Sequence, residues 1–240
     1  MNSPLSAPLK YVVYVFYAIT VINVIGLLNE VKIIEQVTKP MLVPILALYY
    51  CSRKDRDSSY LLALLFSWAG NLMIMSIDFS TVLGGFISFW ATLLLFSDHI
   101  IKRLKGNLLD QFKKKNSWII ASIFGLYLSG IILTVYKGAG MLTPAILFYG
   151  TTLTGTGFLS VLLWFEKKEK ITLSLAFGMI LLILSGSLLA VKLFVGNKYF
   201  IENITRMCYI SAQFLICYYF INVVSNVNEK QMKNINYGSK

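Results

Sequence analysis

The sequence predicts an all-α membrane protein, a polytopic bundle of about eight transmembrane helices with the N and C termini in the cytoplasm. Of its 240 residues, 57% are hydrophobic and only 14% are charged. A soluble domain has about half apolar and about a quarter charged residues. The apolar residues also form runs close to the ~20 residues that cross ~30 Å of hydrocarbon. The basic residues are concentrated in alternate loops, as the topology of a multi-pass protein requires.

Three features of the first four apolar runs affect the number of predicted spans. The first run is too long for a signal-peptide core and has no convincing cleavage site after it, so it is predicted to be the first span. The second is short and is expected to begin at Pro40 or just before it. The third and fourth are separated only by Asp78, which predicts a tight hairpin. The four runs are Tyr11–Leu28, Thr38–Cys51, Tyr60–Ile77 and Phe79–Ile101.

The last four runs are long and uninterrupted, so each is predicted to be one helical span. A single transmembrane domain is therefore expected over residues 1–225. Residues 226–240 are expected to form a polar cytoplasmic tail without fixed structure. The runs are Ser117–Tyr136, Met141–Phe165, Ile171–Val195 and Phe200–Val224.

The charge distribution sets the orientation. The formal net charge is +11, and with eight spans 16 of the 22 Lys and Arg residues fall on one side of the membrane. The positive-inside rule places that side, which includes both termini, in the cytoplasm. Topogenic charge of this kind argues against nucleic acid as a partner. In a bacterium, the location expected is the cytoplasmic (inner) membrane.

The sequence lacks the residues that several kinds of site require. The three cysteines show no paired spacing, and His99 is the only histidine, so neither a metal site nor a cofactor is expected. Paired carboxylates for acid–base work are missing from the middle of every run. Asp78, Asp98 and Glu202 all lie at the ends of predicted spans, where solvated charges are expected.

Polar residues inside the apolar runs are the candidates for function, because each costs free energy in lipid unless it is paired or wet. Lys39 either reaches the outer interface or points into a cavity and binds an anionic group. Asn71, Ser185 and Gln213 either tie helices together or contact a ligand. Lys192, near the end of the seventh run, is expected to extend to the interface.

Several short segments of the apolar runs occur in a fixed order along the chain. They are Thr38–Pro44 with Ala47–Tyr49, Ser67 with Gly70 and Asn71, Phe79 with Gly85, Tyr149, Leu184–Ala190, and Tyr209 with Ala212–Ile216. This ordered set, which extends from about Val37 to Ile221, resembles the YhhN family, the lysoplasmalogenase-like membrane proteins. The resemblance adds two tyrosines, Tyr149 and Tyr209, to the candidate ligand-binding residues.

The resemblance implies hydrolysis of the vinyl-ether bond of lysoplasmalogens, carried by two membrane-embedded aspartates. In this sequence the two aspartate positions align with Asn71 and Gly186, and a motif histidine and tyrosine align with Leu93 and Phe96. Asparagine cannot act as an acid, and glycine and leucine have no side-chain donor. The resemblance therefore implies a divergent member with lost or altered catalysis.

Three functions remain open: a lysoplasmalogenase-like enzyme, a non-catalytic protein that binds or senses a lipid, and a small transporter. The partners expected are membrane lipids, including a lysolipid or another single-chain amphiphile, and the oligomeric state stays open. A cavity lined by Lys39, Asn71, Tyr149 and Gln213 would favour lipid binding or lipid chemistry. A water path across the whole membrane would favour transport.

Overall fold

The computed structural model describes residues 7–29, 31–52, 56–76, 78–104, 115–196 and 199–237 of the chain. These residues are almost entirely helical, as predicted. A short 3₁₀ helix, Gly140–Leu142, joins α5 to α6. The α-helices are α1 (Ala7–Leu28), α2 (Lys32–Cys51), α3 (Ser58–Met73), α4 (Phe79–Ile101), α5 (Lys115–Ala139), α6 (Thr143–Lys167), α7 (Lys170–Phe194) and α8 (Tyr199–Tyr237).

The membrane character is supported by helix length and composition. Among the described residues, four segments are long and apolar enough to cross a membrane: Phe79–Ile101, Ser117–Lys167, Lys170–Phe194 and Ile201–Val223. The second of these contains both α5 and α6. Within the described side chains, the apolar parts of α1 and α2 are Tyr14–Gly26 and Pro40–Cys51. These apolar helices indicate a multi-pass integral membrane protein, while the count of eight spans and the cytoplasmic termini stay predictions.

The predicted start of the second helix was wrong, because α2 begins at Lys32 and contains both Pro40 and Pro44. Proline has no N–H, so Pro44 leaves the carbonyl oxygen of Pro40 without its usual donor four residues on. The indole N–H of Trp68 on α3 donates to that oxygen at 3.0 Å. A side chain from a neighbouring helix thus replaces the missing hydrogen bond and lets the helix continue.

The expectation that the C-terminal tail lacks fixed structure was wrong for residues 226–237. The backbone of α8 continues as a helix through residue 237. Polar residues in this region, including Glu229, Lys230 and Gln231, have good helix propensity and can extend a helix that is already nucleated.

Consecutive helices in the described structure pack antiparallel along much of the chain. Near one end, which we call the cavity end, Asn23 on α1 bonds to Thr38 on α2, and Lys192 on α7 pairs with Glu202 on α8. The C-terminal ends of α1, α3, α5 and α7 lie at this end, and so do the starts of the helices that follow them. Helices α1 to α4 and α6 to α8 border a common interior, and α5 packs outside it against α6 and α7.

The opposite end of the bundle is filled by aromatic side chains. Tyr60 stacks on Phe220 with ring centroids 4.0 Å apart, and Tyr50 meets the edge of Tyr60 at 4.7 Å. His99 is buried in the same cluster, where its Nδ1 lies 3.0 Å from the carboxylate of Asp57. Asp57 also caps α3, so this pair joins the end of α4 to the start of α3.

Candidate functional site

A partly open cavity occupies the interior between the middle of the bundle and the cavity end. It encloses about 900 Å³ when its mouth is included. The polar and charged residues that line it are Asn23, Ser67, Asn71, Thr92, Tyr149, Ser185, Lys192, Glu202, Thr205, Arg206, Tyr209 and Gln213.

A hydrogen-bonded network between α3 and α8 forms one wall. The phenol oxygen of Tyr209 accepts from the amide of Asn71 at 2.6 Å and from the amide of Gln213 at 3.2 Å. The hydroxyl of Ser67 lies 2.9 Å from the phenol oxygen and also accepts from Gln213. Asn71 gives its remaining amide proton to the carbonyl of Ser67. The four polar side chains therefore fix one another in a largely apolar interior.

Two buried amide oxygens in the cavity wall accept no hydrogen bond from the described residues. They are Oε1 of Gln213, which is 3% exposed, and Oδ1 of Asn23, which is 1% exposed. A buried acceptor without a donor costs about 1–3 kcal/mol. Both side chains line the same cavity, so a ligand hydroxyl, an ammonium group or water there would satisfy them.

A cluster of three charges borders the cavity between the end of α7 and the start of α8. Lys192 and Arg206 each lie 2.8 Å from the same oxygen of Glu202. Lys192, which is expected to extend to the interface, pairs its ammonium group with a carboxylate on the neighbouring helix. Glu202 is likewise ion-paired and not a simply solvated charge. The cluster places cationic donors beside the cavity.

The opposite wall brings Tyr149 on α6 beside Gly186 on α7. A methyl group in place of the Gly186 hydrogen would lie 3.1 Å from the hydroxyl oxygen of Tyr149 and 2.9 Å from the end of Leu153. Leu93 also lines the cavity, whereas Phe96 packs in the aromatic cluster at the opposite end. The two aligned aspartate positions, Asn71 and Gly186, thus border one cavity.

The structure brings most of the predicted site residues together. Five of them line the cavity: Asn71, Tyr149, Ser185, Tyr209 and Gln213. Ser185 is held by donating to the carbonyl of Thr205 on α8 at 2.9 Å. Lys39 lies on α2, but its side chain is outside the described part of the structure.

Sequence reasoning missed Asn23, Glu202 and Arg206 as cavity residues. Asn23 carried the same signal as Asn71, a polar side chain within an apolar run. Glu202 and Arg206 carried a different signal, opposite charges spaced four residues apart on one helix face.

A comparison with models of protein families identifies the family of this chain. The model of the YhhN family matches residues 34–219, which is more than half of the chain. The match begins within α2 and ends within α8. The chain belongs to the YhhN family. No curated protein and no solved structure matches it. As a YhhN protein, it carries its cavity within the matched helices, apart from the contribution of Asn23 on α1.

Proposed function

We propose that this YhhN protein binds a single-chain amphiphile, such as a lysolipid, with the polar head in the cavity, and that it does so without hydrolysing a vinyl ether at the rate its family implies. The observation that carries the proposal is the cavity itself. A wall of mutually hydrogen-bonded polar side chains, two amide oxygens without a donor among the described residues and a cationic border surround one partly open space.

The polar groups match the parts of such a ligand. The free acceptors of Asn23 and Gln213 suit the hydroxyls of a glycerol unit or an ammonium group. Lys192 and Arg206 are donors that suit a phosphate group near the mouth. Apolar side chains such as Leu182 and Leu189 provide the remaining surface, as is usual for small-molecule sites.

Transport is supported less well. The cavity lining in the described structure includes none of Tyr50, Tyr60 and Phe220, whose rings fill the opposite end of the bundle. A transporter also needs a route to that end. One-sided access is what a site for a membrane amphiphile requires.

Vinyl-ether hydrolysis is the second candidate, and family membership favours it. The reaction needs a proton donor near the bond that breaks. Among the described residues that line the cavity, the one carboxyl group belongs to Glu202, and its Oε1 already contacts two cations. Asn71 and Gly186 stand at the positions where the resemblance implies acids, so binding is better supported than cleavage.

Filling the cavity tests the proposal. Leu189→Trp adds a large ring to a residue of the lining, and we expect the affinity for a lysophospholipid to fall at least about tenfold by overpacking. The affinity is measured by native mass spectrometry of the purified protein titrated with lysophosphatidylethanolamine.

The matched control is Leu184→Trp, which changes a half-exposed residue of the same helix that is outside the cavity lining. We expect this variant to bind as the unmodified protein does. Equal affinity in the Leu189 variant, or no saturable binding to the unmodified protein, would refute the proposal.

A further inference from the structure

An apolar groove lies between α4 and α6 and shares Tyr149 with the polar cavity. It encloses about 580 Å³ when its mouth is included, compared with about 900 Å³ for the cavity. The indole N–H of Trp90 already donates to Thr152 at 2.9 Å, so it needs no polar ligand. The residues that line the groove are Phe86, Ile87, Trp90, Ala145, Phe148 and Tyr149.

Tyr149 stands at the boundary between the two spaces. Its hydroxyl lies beside Gly186 in the cavity wall. Its ring meets Phe86 of the groove edge-on, with centroids 5.6 Å apart, and is 6.4 Å from the ring of Phe89. A tyrosine is suited to such a boundary, because its apolar body and polar tip can face different surroundings.

The lining indicates what kind of occupant the groove accepts. Close helix packing in membranes depends on small residues, and Ala145 is the one small side chain in this lining. Phe148 is 68% exposed and Trp90 is 37% exposed, so the groove opens toward the bilayer. A flexible hydrocarbon chain fits between large aromatic rings where a helix does not.

We infer that this groove holds the hydrocarbon chain of the amphiphile whose head occupies the cavity. One ligand would then extend past Tyr149, with its head on the cavity side and its chain on the groove side. The inference rests on the proposed function, because it assigns a second subsite to the same ligand. The groove would hold a single acyl, alkyl or alkenyl chain. The polar cavity and the apolar groove then match the two halves of one lysolipid.

Photolabelling locates the chain directly. The probe is a lysophosphatidylethanolamine with a diazirine in the middle of its chain, added to the purified full-length protein. We expect labelled peptides from residues 86–90 and 145–149, with labelling suppressed by excess unlabelled lysolipid. Suppressible labelling elsewhere, for example on the exposed face of α5 at Trp118 and Leu126, would overturn the inference. Labelling that no competitor suppresses anywhere would instead refute the proposed function.

Ala145→Phe provides an independent test by filling the groove. We expect affinity for the long-chain lysolipid to fall about tenfold, while a short-chain analogue with the same head keeps its affinity. Leu147→Phe is the control, because Leu147 lies on the same helix outside the groove lining. Unchanged long-chain affinity in the Ala145 variant, or an equal loss for both ligands, would contradict the assignment.

Discussion

Replacing Asn71 and Gly186 with aspartate in one protein is expected to introduce vinyl-ether hydrolysis. The two positions border the same cavity, and the resemblance implies acids at both. A positioned acid–base group contributes about 10²–10⁴-fold to a rate, so we expect turnover of lysoplasmalogen at least about 100-fold above that of the unmodified protein. The release of fatty aldehyde over time measures it.

Local contacts make this double variant feasible. At position 186 the new Cβ atom would lie beside the movable end of Leu153 and the hydroxyl of Tyr149, a group that can donate to a carboxylate. At position 71 an aspartate cannot keep both amide bonds that Asn71 donates to Ser67 and Tyr209. Some stability is therefore lost, about 1–3 kcal/mol for a buried partner left unsatisfied.

The control for the gain of activity is Asn71→Asp combined with Gly186→Asn, which has nearly the same shape and one acid fewer. We expect it to bind lysoplasmalogen and to release much less aldehyde than the double aspartate variant. Should the double aspartate variant bind the lipid and still release no more aldehyde than the unmodified protein, the assignment of these two positions would be wrong.

Gly178→Leu is expected to cause a large loss of stability. A Cβ atom at Gly178 would lie 3.0 Å from Ile216 Cγ1, 3.2 Å from the carbonyl oxygen of Ala212 and 3.2 Å from Leu215 Cβ. Because one contact is backbone and α7 packs extensively on α8, a leucine must push the two helices apart. We expect the free energy of unfolding to fall by about 3 kcal/mol. The unfolding temperature of the purified protein would then fall by about 6–12 °C.

Gly125→Leu is the matched control on α5. A Cβ atom at Gly125 meets nothing within 4 Å, so we expect little change in the unfolding temperature. If the two leucine variants unfold at the same temperature, the close approach of α7 and α8 is not a source of stability, and the packing around the cavity would need revision.

How far the sequence predicted the fold depends on whether local or tertiary interactions decide each feature. The limits of α4 agree with the predicted run, because an uninterrupted apolar segment specifies a helix by itself. The start of α2 was mispredicted, because the helix passes through Pro40 and Pro44 with help from Trp68 on another helix. The residues near Pro40 in the sequence do not reveal that hydrogen bond, because its donor lies 28 residues away.

In the candidate site, too, features set by local sequence were predicted and features set by tertiary contacts were not. Asn71 and Gln213 stood out as polar groups in apolar runs, and both line the cavity. The pairing of Lys192 with Glu202 was not predicted, because it depends on how α7 and α8 cross at the cavity end. Lys192 is about a quarter exposed, pairs with Glu202 and lines the cavity.

The central claim is that this YhhN protein binds a single-chain amphiphile without cleaving it, and one incubation tests it most directly. The purified protein is mixed with a vinyl-ether lysolipid, and bound lipid and released aldehyde are quantified by mass spectrometry in the same sample. The account predicts saturable binding of intact lysoplasmalogen with no aldehyde above a protein-free control. Rapid, catalytic release of aldehyde, or the absence of any saturable binding, would contradict it.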